Sequence, residues 1–425
     1  MNPRKLALEV LTDITDGGAY ANLRLKALPE QLGSGPKKWV AALIYTTLDH
    51  LLYIDHLLAS AAKGRQKPLI RGLLRLGVCE LIYMDTPAHA AVSEYVGLTR
   101  ALGKGPLCGY VNGVLRNVST MPEQGFPPLP EAPVERLSIQ YSYPKWLVAQ
   151  WVEDYGLDFT EGLLRAPSIG MGVRAQHPYT TAALKAALPV AAEPGSLDEN
   201  CLLLSEGVDV TAMSQYRSGQ MTVQGQSAML ACRALGCLKG KRVLDACAAP
   251  GGKSAYLASL WEGEVSLTCM ELHPHRKELL DKTLARLHVK AHTLCHDACI
   301  PLPAFTEAFD AVLLDAPCSG LGLTAEKPDI RYAKTSRDLV DLANLQLKLM
   351  NACCGYVRPG GVLMYITCTI SKKENQDNVA AFLSAHPEFF LEAMDIPVEN
   401  HGMLQLFPHV HGTDGFFFAR LKRCA

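Results

Sequence analysis

No apolar run in this 425-residue chain reaches the roughly 18 residues that a membrane-spanning helix needs. The opening Met1-Asn2-Pro3-Arg4-Lys5 runs into an amphipathic segment carrying Glu9 and Asp13, which is not the make-up of a signal peptide. None of the 14 cysteines stands in a C-x-x-C pair. A disulfide framework is therefore not expected, and reduced thiols in a cytoplasmic setting are. The chain has neither G-x-x-x-x-G-K-[ST] nor G-x-G-x-x-G, so phosphate cradling and dinucleotide binding lack their usual loops. Internal repeats and low-complexity tracts are also missing.

The length is enough for about two to three domains, and an apolar fraction of 48% is enough for packed cores. A net charge of −1 hides an asymmetry: residues 1–120 hold 14 basic and 9 acidic side chains, the remainder 27 and 33. A basic amino-terminal part on a mildly acidic body suits a nucleic-acid-binding appendage. Residues 1–120 read as successive helices, with apolar residues such as Leu6, Val10 and Ile14 spaced at i, i+4. Lys63, Arg65, Lys67, Arg71 and Arg75 form their main basic cluster. Five prolines in Met121–Pro133 mark a linker. We expect boundaries at 1–136, 137–222 and 223–425: an all-α bundle with its linker, two linker helices with a small α+β subdomain, and an α/β domain. In the last, strands expected at Arg242–Ala246, Val265–Glu271, His292–Cys295, Ala311–Asp315 and Val362–Thr367 alternate with helices, the pattern of a wound parallel sheet. One helix is expected over Glu374–His386, and Gly415–Leu421 adds an apolar strand.

Chemistry concentrates at the ends of these strands. Asp245-Ala246-Cys247-Ala248-Ala249-Pro250-Gly251-Gly252-Lys253-Ser254 joins the first strand to a helix, and its glycines let the backbone approach a ligand closely. Glu271 ends the second strand, where a carboxylate accepts hydrogen bonds from ribose hydroxyls. Asp297 follows the third strand and suits an adenine edge. Together they point to an adenosyl cofactor without a pyrophosphate. Enzymes that methylate exocyclic amines carry Asn/Asp-Pro-Pro-aromatic at the fourth strand end, whereas this chain has Asp315-Ala316-Pro317-Cys318. A second thiol, Cys368, ends the fifth strand in Thr367-Cys368-Thr369. A thiolate that adds to C6 of a pyrimidine makes C5 nucleophilic enough to take a methyl group, after which a base removes the C5 proton and the thiolate leaves. Asp315 is placed to stabilise charge that develops on the ring. On residue pattern alone either thiol serves. Cys295, His296 and Cys299 do not have zinc spacing, so no metal is expected. Lys327, Arg331, Lys334 and Arg337 read as a basic loop beside the thiols.

These motifs resemble those of the RNA cytosine-C5 methyltransferases, the Sun/Nop2 group. Asp245–Lys253, Asp315–Gly320 and Thr367–Thr369 look like its motifs I, IV and VI, in order. The amino-terminal bundle resembles a NusB-like RNA-binding domain. Tyr141–Leu147 and Asp414–Phe417 match further signatures of that branch. The resemblance implies a Rossmann-like, S-adenosylmethionine-dependent methyltransferase domain acting on 16S ribosomal RNA, free or in an assembling small subunit; no membrane or metal partner is expected from the residue patterns, and a monomer is the default expectation. It implies that Cys368 is the nucleophile and that Cys318 assists product release. It assigns Cys247, Ala248, Ala249, Pro250, Gly251, Gly252, Lys253, Glu271, Asp297 and Asp315 to the cofactor, and also places Asp315 near the target base. Three positions depart from the family pattern. Glu271 stands where Asp is commoner, Ala325-Glu326-Lys327-Pro328-Asp329 replaces Arg-Arg-His-Pro-Asp, and Gln176 replaces an Asn. A transfer-RNA or DNA cytosine methyltransferase, and an RNA-binding assembly factor with a vestigial catalytic domain, are the competing readings.

Overall fold

A computed structural model describes residues 2–205 and 207–425. It resolves the chain into two compact units. The first comprises the chain up to Arg165 together with Lys327–Thr335; the second comprises Ala166–Glu326 and Ser336–Ala425.

In the first unit, the 16-residue helix Pro68–Tyr83 lies at the centre. Ten of its residues are buried, because apolar positions run round nearly its whole circumference. A Cβ at Gly77 would lie 2.8 Å from Leu115, so glycine here permits close approach of the helix Cys108–Ser119. The helix Pro3–Thr15 starts at Asn2, whose side chain accepts hydrogen bonds from the Arg4 and Lys5 amides, and buries Leu8, Leu11 and Ile14 on one face.

The segment Lys327–Thr335 packs inside this unit, and that corrects one expectation. Arg331 is 5% exposed: its guanidinium pairs with Asp49 at 3.0 Å and lies 4.2 Å from the Tyr143 ring centroid. The Tyr332 hydroxyl is 2.7 Å from the Ser142 carbonyl oxygen and 2.8 Å from that of Leu48. Asp329 accepts the Ala21 amide at 3.2 Å. Arg331 therefore does not belong to a solvated basic loop; it anchors an excursion of the chain. The basic cluster changes in the same way. Arg75 is buried on Asp55 through two bonds of 2.6 and 2.7 Å, and Arg71 lies 3.6 Å from Asp16. Lys63, Arg65 and Lys67 stay exposed around a concavity of about 290 Å³ that Gln66 and Tyr110 also line.

The second unit contains two sheets. Strands β1 (Met171–Ala175), β2 (Ala192–Pro194), β3 (Cys201–Leu204) and β4 (Met221–Val223) form an antiparallel sheet in the order β2-β3-β1-β4. The larger sheet has β5 (Arg242–Asp245), β6 (Ser266–Glu271), β7 (His292–Cys295), β8 (Phe309–Asp315), β9 (Val357–Thr367), β10 (Phe389–Leu391), β11 (Met403–Leu406) and β12 (Phe416–Arg423). Its order is β10-β12-β9-β8-β5-β6-β7, with β11 also on β12. The pairs from β9 to β7 are parallel, so five carboxyl ends share one rim. The apolar closing strand runs antiparallel to β9, with Phe417 opposite Thr367, which makes the sheet mixed. β8, β9 and β12 are buried on both faces, which accounts for their continuous apolar runs.

Candidate active site

The glycine loop turns from β5 into the helix Gly252–Leu260, with Gly251 at φ +103°. A Cβ there would meet Leu280 at 2.9 Å, so both the backbone angle and the available space call for glycine. Asp245 at the base of the loop accepts the Ser254 hydroxyl at 2.5 Å. Burial, together with the nearby charge of Asp315, pushes its carboxyl up to about 7. Arg276 donates to the Ala249 carbonyl at 3.0 Å and lies 3.6 Å from Glu271, joining the loop to the end of β6.

One cavity of about 360 Å³ opens along the rim, a size typical of small-molecule and cofactor sites. Cys247, Ala249, Glu271, Asp297, Asp315, Cys318 and Cys368 all line it. Ala248, Pro250, Gly251, Gly252 and Lys253 complete the turn without lining it. Instead, the Lys253 amine reaches Asp315 at 2.5 Å. That ion pair, largely out of solvent, holds the amine charged and places it between the cofactor loop and the end of β8. Asp297 accepts the Cys299 amide at 2.9 Å through one oxygen.

Parallel pairing puts Asp315 opposite Ile366 in register. Cys318 and Cys368, just beyond the ends of β8 and β9, thus come side by side, with their sulfurs 3.2 Å apart. The hydrogen bond to Cys368, burial and the charges of Cys368 and Glu374 push the Cys318 thiol well above its ordinary range. Either sulfur can donate to the other across this contact, so the geometry sets the two thiols up as a pair. The Cys368 carbonyl accepts the Gly322 amide at 3.1 Å, and the Gly322 carbonyl accepts the Gly415 amide at 2.9 Å. The residue that precedes β12 thereby clamps both thiol loops.

Two side chains and one pairing were not read from the sequence. Arg174, 1% exposed, donates to Gln224 at 2.6 Å and Gln176 at 2.7 Å, and lies 3.4 Å from the Gly252 carbonyl. Burial lowers it to about 10. Gln176, at the position of the missing Asn, therefore serves as an Arg174 acceptor. The second is the Lys253–Asp315 pair. The third is Glu374: the helix begins only at Gln376, and Glu374 lies in the preceding turn, completely buried. The polar pair Glu374-Asn375 ahead of an apolar helix was the only sequence signal for it. Among the described residues no group of three His, Cys, Asp or Glu side chains is arranged to hold a metal, and no helix is long and apolar enough to cross a membrane.

Similarity to known proteins runs along the whole chain. A family model described as 16S rRNA methyltransferase RsmB/F matches residues 233–422, and the NusB family matches residues 1–120. A probable ribosomal RNA small subunit methyltransferase B from Bacillus subtilis is 34% identical over 441 residues, covering 99% of this chain and 98% of the relative. Ribosomal RNA small subunit methyltransferase B from Shewanella oneidensis is 32% identical, covering 100% and 99%. The crystal structure of PH0851 superposes with a TM-score of 0.82 at 23% identity, covering 100% of this chain and 99% of that one. A methyltransferase homolog protein from Pyrococcus horikoshii gives 0.61 at 22% identity, covering 69% and 100%. The two structures establish the fold.

Proposed function

The chain belongs to the 16S rRNA methyltransferase RsmB/F family, and on that premise we propose that it methylates C5 of a cytosine in 16S ribosomal RNA through a covalent bond from Cys368 to C6 of the base. The observation that carries this reading is the 3.2 Å contact between Cys318 and Cys368 on the wall of a cofactor-sized cavity. Exocyclic amine methylation needs no thiol; ring-carbon methylation needs a nucleophile, and a second group to take or return a proton.

The family's cofactor is S-adenosylmethionine, and the residues present suit it. Glu271, Asp297, Cys247 and Ala249 all line the cavity; the carboxylate ending the second strand suits the ribose hydroxyls, Asp297 suits the adenine edge, and the two small residues leave room beside them. When bound, it supplies an electrophilic methyl group. Cys368 attacks C6 as the thiolate and holds the base by a carbon–sulfur bond. The Lys253 ammonium, held on Asp315, offsets the negative charge that develops on the ring during attack, and Asp315 orients it there. Once C5 carries the methyl group, Cys318 gives its proton to the departing Cys368 sulfur, 3.2 Å away, and takes the C5 proton in exchange as the Cys368–C6 bond breaks. Taking a base out of a stack costs a few kcal/mol, and the exposed Lys63, Arg65 and Lys67 offer phosphate contacts that offset it.

The test is methyl transfer from labelled S-adenosylmethionine to unmodified 16S ribosomal RNA, a transfer-RNA pool and duplex DNA, followed by nucleoside analysis. 5-Methylcytidine in the 16S RNA alone is the expected result. Label in transfer RNA or DNA would overturn the substrate assignment, and RNA binding without any transfer would overturn the enzymatic reading.

A further inference from the structure

Glu374 has an environment that a helix-starting residue does not need. It is 0% exposed, and four hydrogen-bond donors converge on its carboxylate. Oε1 accepts the Ser319 hydroxyl at 2.6 Å and the Thr369 hydroxyl at 3.3 Å. Oε2 accepts the Ser319 amide at 2.9 Å and the Gln346 amide at 2.9 Å. Ser319 directly follows Cys318, and Thr369 directly follows Cys368. The two hydroxyl oxygens lie 2.8 Å apart, so the single Thr369 proton is shared between Ser319 Oγ and Glu374 Oε1. Gln346 also donates to the Pro317 carbonyl at 2.9 Å, on the other side of Cys318. The Tyr365 hydroxyl donates to the Glu374 carbonyl at 2.6 Å and so fixes the backbone behind the carboxylate.

Backbone N–H and side-chain amide NH2 groups can only donate, so the arrangement fits an acceptor-only carboxylate. Among the described residues no Lys or Arg pairs with it. A buried carboxylate without a counter-ion is expensive to hold, and as a mere spacer it would be a poor choice.

We propose that Glu374 is the positioning residue of the two-thiol centre, tying the residue after Cys318 to the residue after Cys368 and thereby setting the sulfur–sulfur contact. Its charge has a second consequence, because it favours the protonated form of Cys318 and so keeps the two thiols in different roles. The inference rests on the assignment of both thiols to the reaction, and the experiment separates the two failures.

The variant is Glu374→Gln, which keeps the shape, removes the charge and turns an NH2 group toward obligate donors. Four quantities are measured: thermal unfolding, S-adenosylmethionine binding by calorimetry, kcat and KM with RNA, and the pH dependence of iodoacetamide labelling at Cys318, read by peptide mass spectrometry. The folded variant should bind the cofactor like the native protein and lose about 100-fold in kcat, the effect of roughly 1 Å of misplacement, with little change in KM. Cys318 labelling should move to lower pH by about one unit, as expected when a nearby like charge is removed. A merely structural role would leave that labelling profile in place. Native kcat together with native labelling would overturn the proposal. If Glu374→Gln does not fold, Ser319→Ala carries the test, because it removes one donor and keeps the charge. A kcat lowered by about tenfold, one hydrogen bond's worth, supports the inference, and native kcat overturns it. If the native protein methylates nothing, the functional reading fails, and the labelling shift alone decides the role of Glu374.

Discussion

Replacing Gly322 with Ala strikes the clamp that holds the Cys368 carbonyl. A Cβ at this position would lie 1.8 Å from the Gly415 carbonyl oxygen. Carbon–oxygen contacts settle near 3.3 Å, so the two segments would have to part by roughly 1.5 Å. That movement breaks the bond from the Gly415 amide to the Gly322 carbonyl, 2.9 Å, and strains the one from the Gly322 amide to the Cys368 carbonyl, 3.1 Å. Two hydrogen bonds are worth about 1–3 kcal/mol, and overpacking adds about 1–3 kcal/mol. The summed loss of about 2–6 kcal/mol lowers the unfolding midpoint by roughly 4–24 °C in a domain of this size. Because the thiol loops move with the clamp, kcat should fall by about 100-fold even below the midpoint. Scanning calorimetry and single-turnover methyl transfer measure the two effects. A variant that unfolds within about 2 °C of the native protein and keeps native kcat would refute the reasoning.

Four other perturbations have worked-out directions. Asp245 is raised to about 7 in the folded protein, against about 3.9 unfolded. The folded state therefore holds the extra proton between these values, and stability falls as pH rises from about 4 to 7; Asp245→Asn should flatten that part of a plot of unfolding midpoint against pH. Substituting Lys63, Arg65 and Lys67 together by Ala should leave the fold intact and reduce the salt slope of RNA binding by up to about 2, measured by titration at several salt concentrations. Arg331→Ala should destabilise the helical unit by about 2–4 kcal/mol in denaturant unfolding, because it removes a buried guanidinium's ion pair with Asp49 and its contact with the Tyr143 ring. Arg337→Ala, in an exposed pair with Asp341, should stay within about 0.5 kcal/mol.

Much of the catalytic sheet follows from local patterns. Residues buried on both faces gave uninterrupted apolar strands, and the parallel pairing they imply brought Asp315, Cys318, Glu271 and Asp297 to one rim. The glycine loop was legible because Gly251 has a backbone angle that few residues adopt. What escaped depends on partners far along the chain. Arg331 looks like any basic loop residue until Asp49, 282 positions away, is seen beside it. Glu374 reads as the first residue of a helix, since nothing local shows that Ser319 and Gln346 converge on it. Gly322 and Gly415 are unremarkable singly and meaningful as a pair. Lys253 sits inside a cofactor motif, yet its amine is taken by Asp315 from another strand.

The central claim is that Cys368 makes the bond to the base while Cys318 handles the proton. Incubating Cys368→Ala and Cys318→Ala with 16S ribosomal RNA and S-adenosylmethionine, then resolving protein–RNA complexes on a denaturing gel, tests it directly. The account predicts no adduct and no methylation for Cys368→Ala, and an accumulating, slowly released adduct for Cys318→Ala. An adduct that persists without Cys368 and vanishes without Cys318 would contradict it.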